Sequence, residues 1–219
     1  MIKTVIFDMD GVLIDTEPVH YQVSNQHFKN LNIEVPDELY HTFTGSSNKM
    51  IYQKIKNHFN LSQDITNLIG DKNHLFFDAF AKDTRLSLMP GVKDLIIELH
   101  QNGIQLIVAS SSEMEIIDLV FDRFGLNPYF SYKISGNDFP ESKPNPAIFN
   151  KAVELSNHQK TECIVIEDST NGIAAAKAAG IFCIAYNGKS GVGQNQQKAD
   201  KIITDFSDLS YEKIKVINL

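Results

Sequence analysis

The apolar positions of the chain follow two rhythms, and the change between them divides it. Val5-Ile6-Phe7 is a short apolar run that stops at Asp8. From Leu88 onward such runs recur, as Gln105 to Ala109, Tyr132 to Ser135, Glu162 to Ile166, Ile181 to Ala185 and Lys201 to Thr204. Runs of this length read as strands, and little polar alternation means that both faces are covered. Helical stripes lie between them: Val92, Leu95, Ile96 and Leu99, then Ile116, Ile117, Val120 and Phe124. Pro90-Gly91 precedes the first stripe and Gly103 ends it. Ser112 with Glu115 fits a capping box for the second. Asn145-Pro146 predicts a helix starting at proline, and Gly180 ends a helix of small residues, Ala174 to Ala179.

The stretch from Ile14 to about Lys82 is different. Asp15 or Thr16 is expected to cap a helix with Pro18 in its first turn. Beyond it the sequence is polar and helically periodic, with Ile51, Ile55 and Phe59 on one face and Leu75, Phe76, Ala79 and Phe80 on another. Asn30 to Pro36 and Asn60 to Asp64 break the helices. The prediction is an α/β protein, with a Rossmann-like parallel sheet core and a small helical cap inserted after the first strand. The core takes residues 1–15 and 84–219 and the cap 16–83.

Composition narrows the picture. A net charge of −7 and 42% hydrophobic residues describe a globular protein without a basic surface for nucleic acid. The chain enters strand-like sequence at once and no apolar run is long enough to span a bilayer, so we expect no leader, no membrane partner and a cytoplasmic location. Cys163 and Cys183 sit in apolar strands and are expected as buried free thiols. With no C-x-x-C pair or His/Cys cluster, zinc is disfavoured. Gly188 to Gln197 reads as a polar, Gly-rich surface loop.

Ligands of parallel sheets bind beyond the carboxyl ends of the strands. Polar residues gather there: Asp8 and Asp10 before Gly11, Ser110 after Leu-Ile-Val-Ala, Lys143 before Pro144, and Glu167-Asp168 after Cys-Ile-Val-Ile. Singly, each has a structural use as a helix cap, a solvated lysine or a strand end. Together they place four carboxylates, a hydroxyl and an amine at one sheet edge. So many carboxylates call for a hard, oxygen-ligated cation, Mg²⁺ above all. The cation and the lysine let a carboxylate approach an anionic ester, while a second carboxyl handles the proton. That is the chemistry of phosphoryl transfer.

The order Asp8-Met9-Asp10-Gly11, Ser110, Lys143, Glu167-Asp168 resembles the four motifs of the haloacid dehalogenase superfamily, in its beta-phosphoglucomutase-like phosphatase and phosphomutase group. The resemblance implies Asp8 as nucleophile and metal ligand. Asp10 becomes general acid/base, bound to the metal through its backbone carbonyl. Ser110 and Lys143 hold the phosphoryl group, and Asp168 with Glu167 completes the Mg²⁺ site. In the cap it implies substrate roles for His20, Gly45 and Lys72. Gly45-Ser46-Ser47-Asn48-Lys49 lies where the group carries a Gly-x-Ser-Arg loop that grips a distal phosphate. Here Asn48 stands in the arginine's place, and Lys49 beside it lacks the bidentate fork. The expected activity is therefore hydrolysis of a small phosphomonoester, a sugar phosphate, by a monomer. Sugar phosphomutase is the alternative, followed by pyrophosphatase and a non-catalytic phosphate-binding regulator. Response-regulator receivers use similar residues but are about half as long and take phosphate in mid-chain.

Overall fold

A computed structural model describes residues 1–188 and 193–217. Six parallel strands form one sheet: β1 (Thr4–Phe7), β2 (Gln105–Ser110), β3 (Phe130–Ser135), β4 (Cys163–Glu167), β5 (Phe182–Tyr186) and β6 (Lys201–Ile203). Their spatial order is β3-β2-β1-β4-β5-β6. The chain therefore winds one way from β1 and then crosses back, and the reversal lies where β1 pairs with both β2 and β4. Such a switch point opens a crevice at the strand ends, which is where Asp8 and Glu167 emerge.

Successive side chains of the strands feed two separate cores. Val5, Phe7, Leu106, Val108, Ile164 and Ile166 pack on one face. Ile6, Ile107, Ala109, Cys163 and Val165 pack on the other. The first face is covered by α5 (Val92–Gln101) and α6 (Met114–Phe124), the second by α7 (Ala147–Ser156) and α8 (Thr170–Ala178). A short α9 (Tyr211–Lys215), which the periodicity does not predict, lays Ile214 on the first core.

Between β1 and α5 the chain is helical: α1 (Glu17–Asn30), α2 (Asp37–Tyr40), α3 (Asn48–Phe59) and α4 (Ile65–Lys82). These helices enclose their own apolar cluster of Phe28, Tyr40, Phe43, Tyr52, Ile55 and Leu68. Val19, Val23, Phe76 and Phe80 join the main core instead, so α1 and α4 root the segment in the sheet domain.

Several local expectations change. The capping box does not form: Glu113 is the N-cap of α6, and the Ser112 hydroxyl turns to Asp10. Thr16 caps α1 by backbone position only, because its hydroxyl also goes to Asp10. The α7 helix begins one residue late, with Pro146 as N-cap and Asn145 Oδ1 accepting from the Ala147 amide. In the first two cases a polar side chain had a stronger claim elsewhere than the cap, and in the third Asn145 still serves the helix start from one residue further out. Both cysteines are buried and free. The Gly188 to Gln197 loop lies partly outside the described residues. Within it Gln196 is buried, not a surface residue, and donates to the carbonyls of Asp168 and Tyr186. No helix among the described residues is long and apolar enough to cross a membrane.

Candidate active site

The site is built from the ends of four neighbouring strands. β1 runs straight into Asp8, whose amide donates to the Ile166 carbonyl of β4 at 2.9 Å. The chain then turns sharply: Gly11 adopts φ +83°, and its amide bonds the Ile14 carbonyl at 2.8 Å. A Cβ on Gly11 would lie 2.1 Å from Asp168 Oδ2, so only glycine lets that carboxylate reach the turn.

One ammonium holds the centre. Lys143 is 1% exposed, and its Nζ reaches Asp8 Oδ1 at 2.5 Å, Glu167 Oε1 at 2.9 Å and the Ala109 carbonyl at 3.0 Å. All three of its hydrogens are thereby committed. Burial opposes its charge, yet Asp8 and Glu167 raise its pKa above the ordinary lysine value. Asp8 is pushed up to about 8 by burial, with Glu167 and Asp10 adding to the effect and Lys143 opposing it. Asp168 is likewise raised by burial and by the charges of Glu167 and Asp8. Three buried carboxylates against one lysine leave negative charge that the protein does not itself balance.

That imbalance is the test of whether a cation fits, and it does. Among the described residues no three His, Cys, Asp or Glu side chains are grouped to bind a metal unaided. Mg²⁺ does not need three, since it is held by one or two carboxylates with water and phosphate oxygens. Asp8 and Asp168, which both line one cavity, would supply the carboxylates. Glu167, expected as a further ligand, is otherwise engaged. Its Oε1 accepts from Lys143, and its Oε2 accepts from the Asp168 and Ser169 amides at 2.7 Å and the Ser169 hydroxyl at 3.0 Å. It braces the lysine and the turn that presents Asp168. A Cβ on Gly172 would lie 1.6 Å from Glu167 Oε1, so the start of α8 is shaped around this carboxylate.

Asp10 faces the other way. Its Oδ2 accepts from the hydroxyls of Ser112 at 2.8 Å and Ser110 at 3.2 Å, and its Oδ1 from Thr16, with His20 Nε2 3.5 Å away. Burial works against ionisation here. The hydrogen bond and charge of His20, with the hydroxyls of Thr16 and Ser112, nonetheless hold the carboxyl well below the usual carboxylate range. Ser110 is fully buried beside it. His20 stacks on Phe76 with centroids 4.5 Å apart, and its Nδ1 lies 3.3 Å from Lys72 Nζ. Lys72 is 3% exposed, its pKa lowered by burial against the opposing charges of Glu113, Asp10 and Glu17.

A cavity of about 90 Å³ lies between this edge and the helical segment, lined by Asp8, Asp10, His20, Gly45, Asn48, Lys72 and Asp168 among others. Ser110, Lys143 and Glu167 do not line it. Lys49 is exposed and outside the lining, so it does not replace the absent arginine. The loop before α3 is pinned to the core on several sides. Ser111 Oγ donates to the Gly45 carbonyl at 3.0 Å, and Ser142 Oγ accepts from the Ser47 amide at 2.9 Å. Asn171 Nδ2 donates to the Thr44 carbonyl at 3.1 Å. Gly45 permits the approach, with φ +76° and a would-be Cβ only 2.4 Å from Ser169 Oγ.

Sequence reasoning did not place Thr16, Glu17, Tyr40, Ser112 or Glu113 in the site. Glu17 lines the cavity beside Tyr40, whose hydroxyl bonds it, and burial raises its pKa. The signal for Thr16 and Ser112 was present as hydroxyls flanking two motifs, but helix capping explains hydroxyls there just as well.

Residues 5–186 match the family model of haloacid dehalogenase-like hydrolases. A phosphoglycolate phosphatase of Vibrio parahaemolyticus is 28% identical, over 95% of this chain and 94% of its own length. A beta-phosphoglucomutase of Bacillus subtilis is 29% identical, over 96% and 92%. Among solved structures, CbbY from Rhodobacter sphaeroides in complex with phosphate superposes with a TM-score of 0.86 at 27% identity, covering 95% of this chain and 96% of that one.

Proposed function

The chain belongs to the haloacid dehalogenase-like hydrolases, and from that membership we propose that it is a Mg²⁺-dependent phosphatase of a small phosphomonoester, a sugar phosphate, working through an aspartyl-phosphate on Asp8. The convergence of Asp8, Asp10, Lys143 and Asp168 at one switch point carries this reading. Asp8, Asp168 and the Asp10 carbonyl would hold Mg²⁺, which when bound would supply the positive charge that lets two anions meet.

The protein's own residues do the rest. Lys143 fixes the Asp8 carboxylate and offsets its charge, leaving Oδ2 to attack phosphorus as the ester oxygen departs. Asp10 protonates that oxygen, then takes a proton from the water that cleaves the acyl phosphate and regenerates Asp8. The contacts of Asp10 with His20, Thr16 and Ser112 favour its carboxylate, the form that activates water. Donation to the leaving oxygen requires loosening the His20 contact, so movement of α1 is coupled to the proton. Ser110 holds Asp10 from below, and its expected contact with the phosphoryl group requires it to exchange partners.

Relatives of nearly equal identity carry phosphatase and mutase names, so the distal part of the site decides. Asn48 is committed to the core and no arginine grips a second phosphate, which favours hydrolysis over mutase action. We place the protein in the cytoplasm as a monomer acting on a phosphorylated metabolite.

A Mg²⁺-dependent screen of phosphomonoesters and pyrophosphate tests this, alongside a coupled assay for conversion of beta-glucose 1-phosphate to glucose 6-phosphate with a bisphosphate primer. Phosphate release from several sugar phosphates without isomerisation is the expected result. Efficient isomerisation with little release overturns the phosphatase assignment, and release from pyrophosphate alone overturns the substrate class.

A further inference from the structure

Where α3 begins, the cavity lining includes Asn48, one half of an unusual pair. Asn48 Nδ2 donates to both carboxylate oxygens of Glu113, at 3.0 and 2.9 Å, and to Asn73 Oδ1 at 3.3 Å. A carboxylate only accepts, which fixes the orientation of the amide. Its two hydrogens are therefore used, one toward Glu113 and one toward Asn73. What Asn48 retains for a ligand in the cavity it lines is its carbonyl oxygen, an acceptor.

Behind the amide, Glu113 is 6% exposed and forms no ion pair among the described residues. It occupies the N-cap position of α6 without a side-chain cap bond, where the helix dipole favours an anion. It also follows Ser112 directly, so it lies one residue from a group that touches Asp10. Lys72 is the lysine of the lining, and its charge faces Asp10, Glu17 and Glu113 together. An anion arriving here meets an acceptor oxygen with a carboxylate behind it, and a lysine whose charge already faces three carboxylates.

Building on the phosphatase reading, we infer that Asn48 and Glu113 form a specificity element that rejects a second anionic group and selects substrates whose far end is an uncharged hydroxyl. A hydroxyl donates to the Asn48 oxygen, whereas a phosphate dianion has nothing to donate and is repelled by Glu113. The pair also joins the helical segment to α6, so substrate selection and seating of that segment share one hydrogen-bonded contact.

The test measures binding as well as turnover, so that it can be read even if the phosphatase assignment fails. Glucose 6-phosphate and glucose 1,6-bisphosphate are titrated calorimetrically, with Mg²⁺, into full-length protein carrying Asp8→Asn, with and without Asn48→Arg and Glu113→Gln. The amide oxygen introduced by Glu113→Gln can still accept from residue 48, which keeps that change conservative, and circular dichroism checks folding. The starting protein should prefer the monophosphate, and Asn48→Arg with Glu113→Gln should shift the ratio of the two affinities toward the bisphosphate by about tenfold. The ratio of kcat/KM for the two sugars should move the same way in protein retaining Asp8. Equal loss of both ligands would mean a purely structural pair, and a starting preference for the bisphosphate would mean the charge logic is wrong; either result overturns the inference. Loss of turnover with the affinity shift intact would overturn the phosphatase reading alone.

Discussion

The two walls of the cavity are held together by different physics. On the sheet side, Lys143 bridges Asp8 and Glu167 at 2.5 and 2.9 Å, between side chains no more than 8% exposed. On the helical side, the loop from Thr44 to Asn48 is fastened by hydroxyls, amides and backbone carbonyls, and Glu113 is the one charged partner named in those bonds. Buried charges break at great cost and so fix one geometry. Neutral hydrogen bonds of about 1 kcal/mol net can be made and released as a substrate enters. On the proposed function, reaction falls to the first wall and recognition to the second.

Removing the proposed nucleophile gives the largest expected effect. Asp8→Asn should lower Mg²⁺-dependent phosphate release by at least about 10³-fold with near-unchanged circular dichroism. A variant keeping a tenth of the activity would mean that covalent chemistry does not start at Asp8.

Next comes the central cation. Lys143→Met strands Asp8 and Glu167 without their shared donor, and breaking a buried pair costs about 3–5 kcal/mol. Urea unfolding should show that loss, and activity should vanish in the fraction that remains folded. A drop under about 1 kcal/mol would place the lysine in the class of solvated pairs and dissolve the contrast between the walls.

Gly45→Ala strikes the other wall. It forces alanine into a positive φ and drives a methyl group against Ser169, a strain of about 1–3 kcal/mol. The loop can relieve it by lifting off the core, so KM should rise about tenfold while the sheet domain keeps most of its stability. If Lys143→Met and Gly45→Ala cost the same in unfolding and both spare KM, the division of labour is wrong.

The same contrast explains what could be read from the sequence. Carboxylates at the ends of apolar strands violate the burial trend, so Asp8, Asp10 and Asp168 stand out from their neighbours before any coordinates are seen, whereas Lys143, in a polar stretch before Pro144, reads alone as solvated and gains weight only from the others. The parallel sheet was legible for a similar reason, because uninterrupted runs such as Cys163 to Ile166 have few other uses. Ser112 and Thr16 were not, since hydroxyls at helix starts are ordinary caps, and Asn48 was singled out by its place in the loop but not by its partner. Only tertiary structure shows that their side chains go to Asp10 and Glu113 instead. Glu167 is the converse case: its charge was legible, but its partners, Lys143 and donors on Asp168 and Ser169, were not.

The smallest expected effect concerns the interior of the helical segment. His27 is 2% exposed, and its Nδ1 lies 2.5 Å from the Tyr52 hydroxyl. Burial raises the Tyr52 pKa, so the phenol keeps its proton and donates, and the ring accepts at Nδ1. The Nε2 of His27 has no partner among the described residues. Burial, aided by Lys72 and opposed by Asp71, lowers the pKa of the ring below its ordinary value. The unfolded chain therefore binds this proton more readily than the folded one, so stability is full above about pH 6.5 and falls as the pH drops toward the folded pKa. The loss is bounded at about 1.4 kcal/mol per pH unit. Because other groups titrate in the same range, the informative quantity is the difference between wild type and His27→Gln, whose side-chain oxygen can still accept from Tyr52. Thermal unfolding at pH 5 and pH 7.5 should show that difference shrinking or reversing on acidification. A difference independent of pH would mean that the ring is already charged, or already solvated, in the folded protein. The helical wall would then be more open to water than its apolar cluster of Phe28, Tyr52 and Ile55 implies.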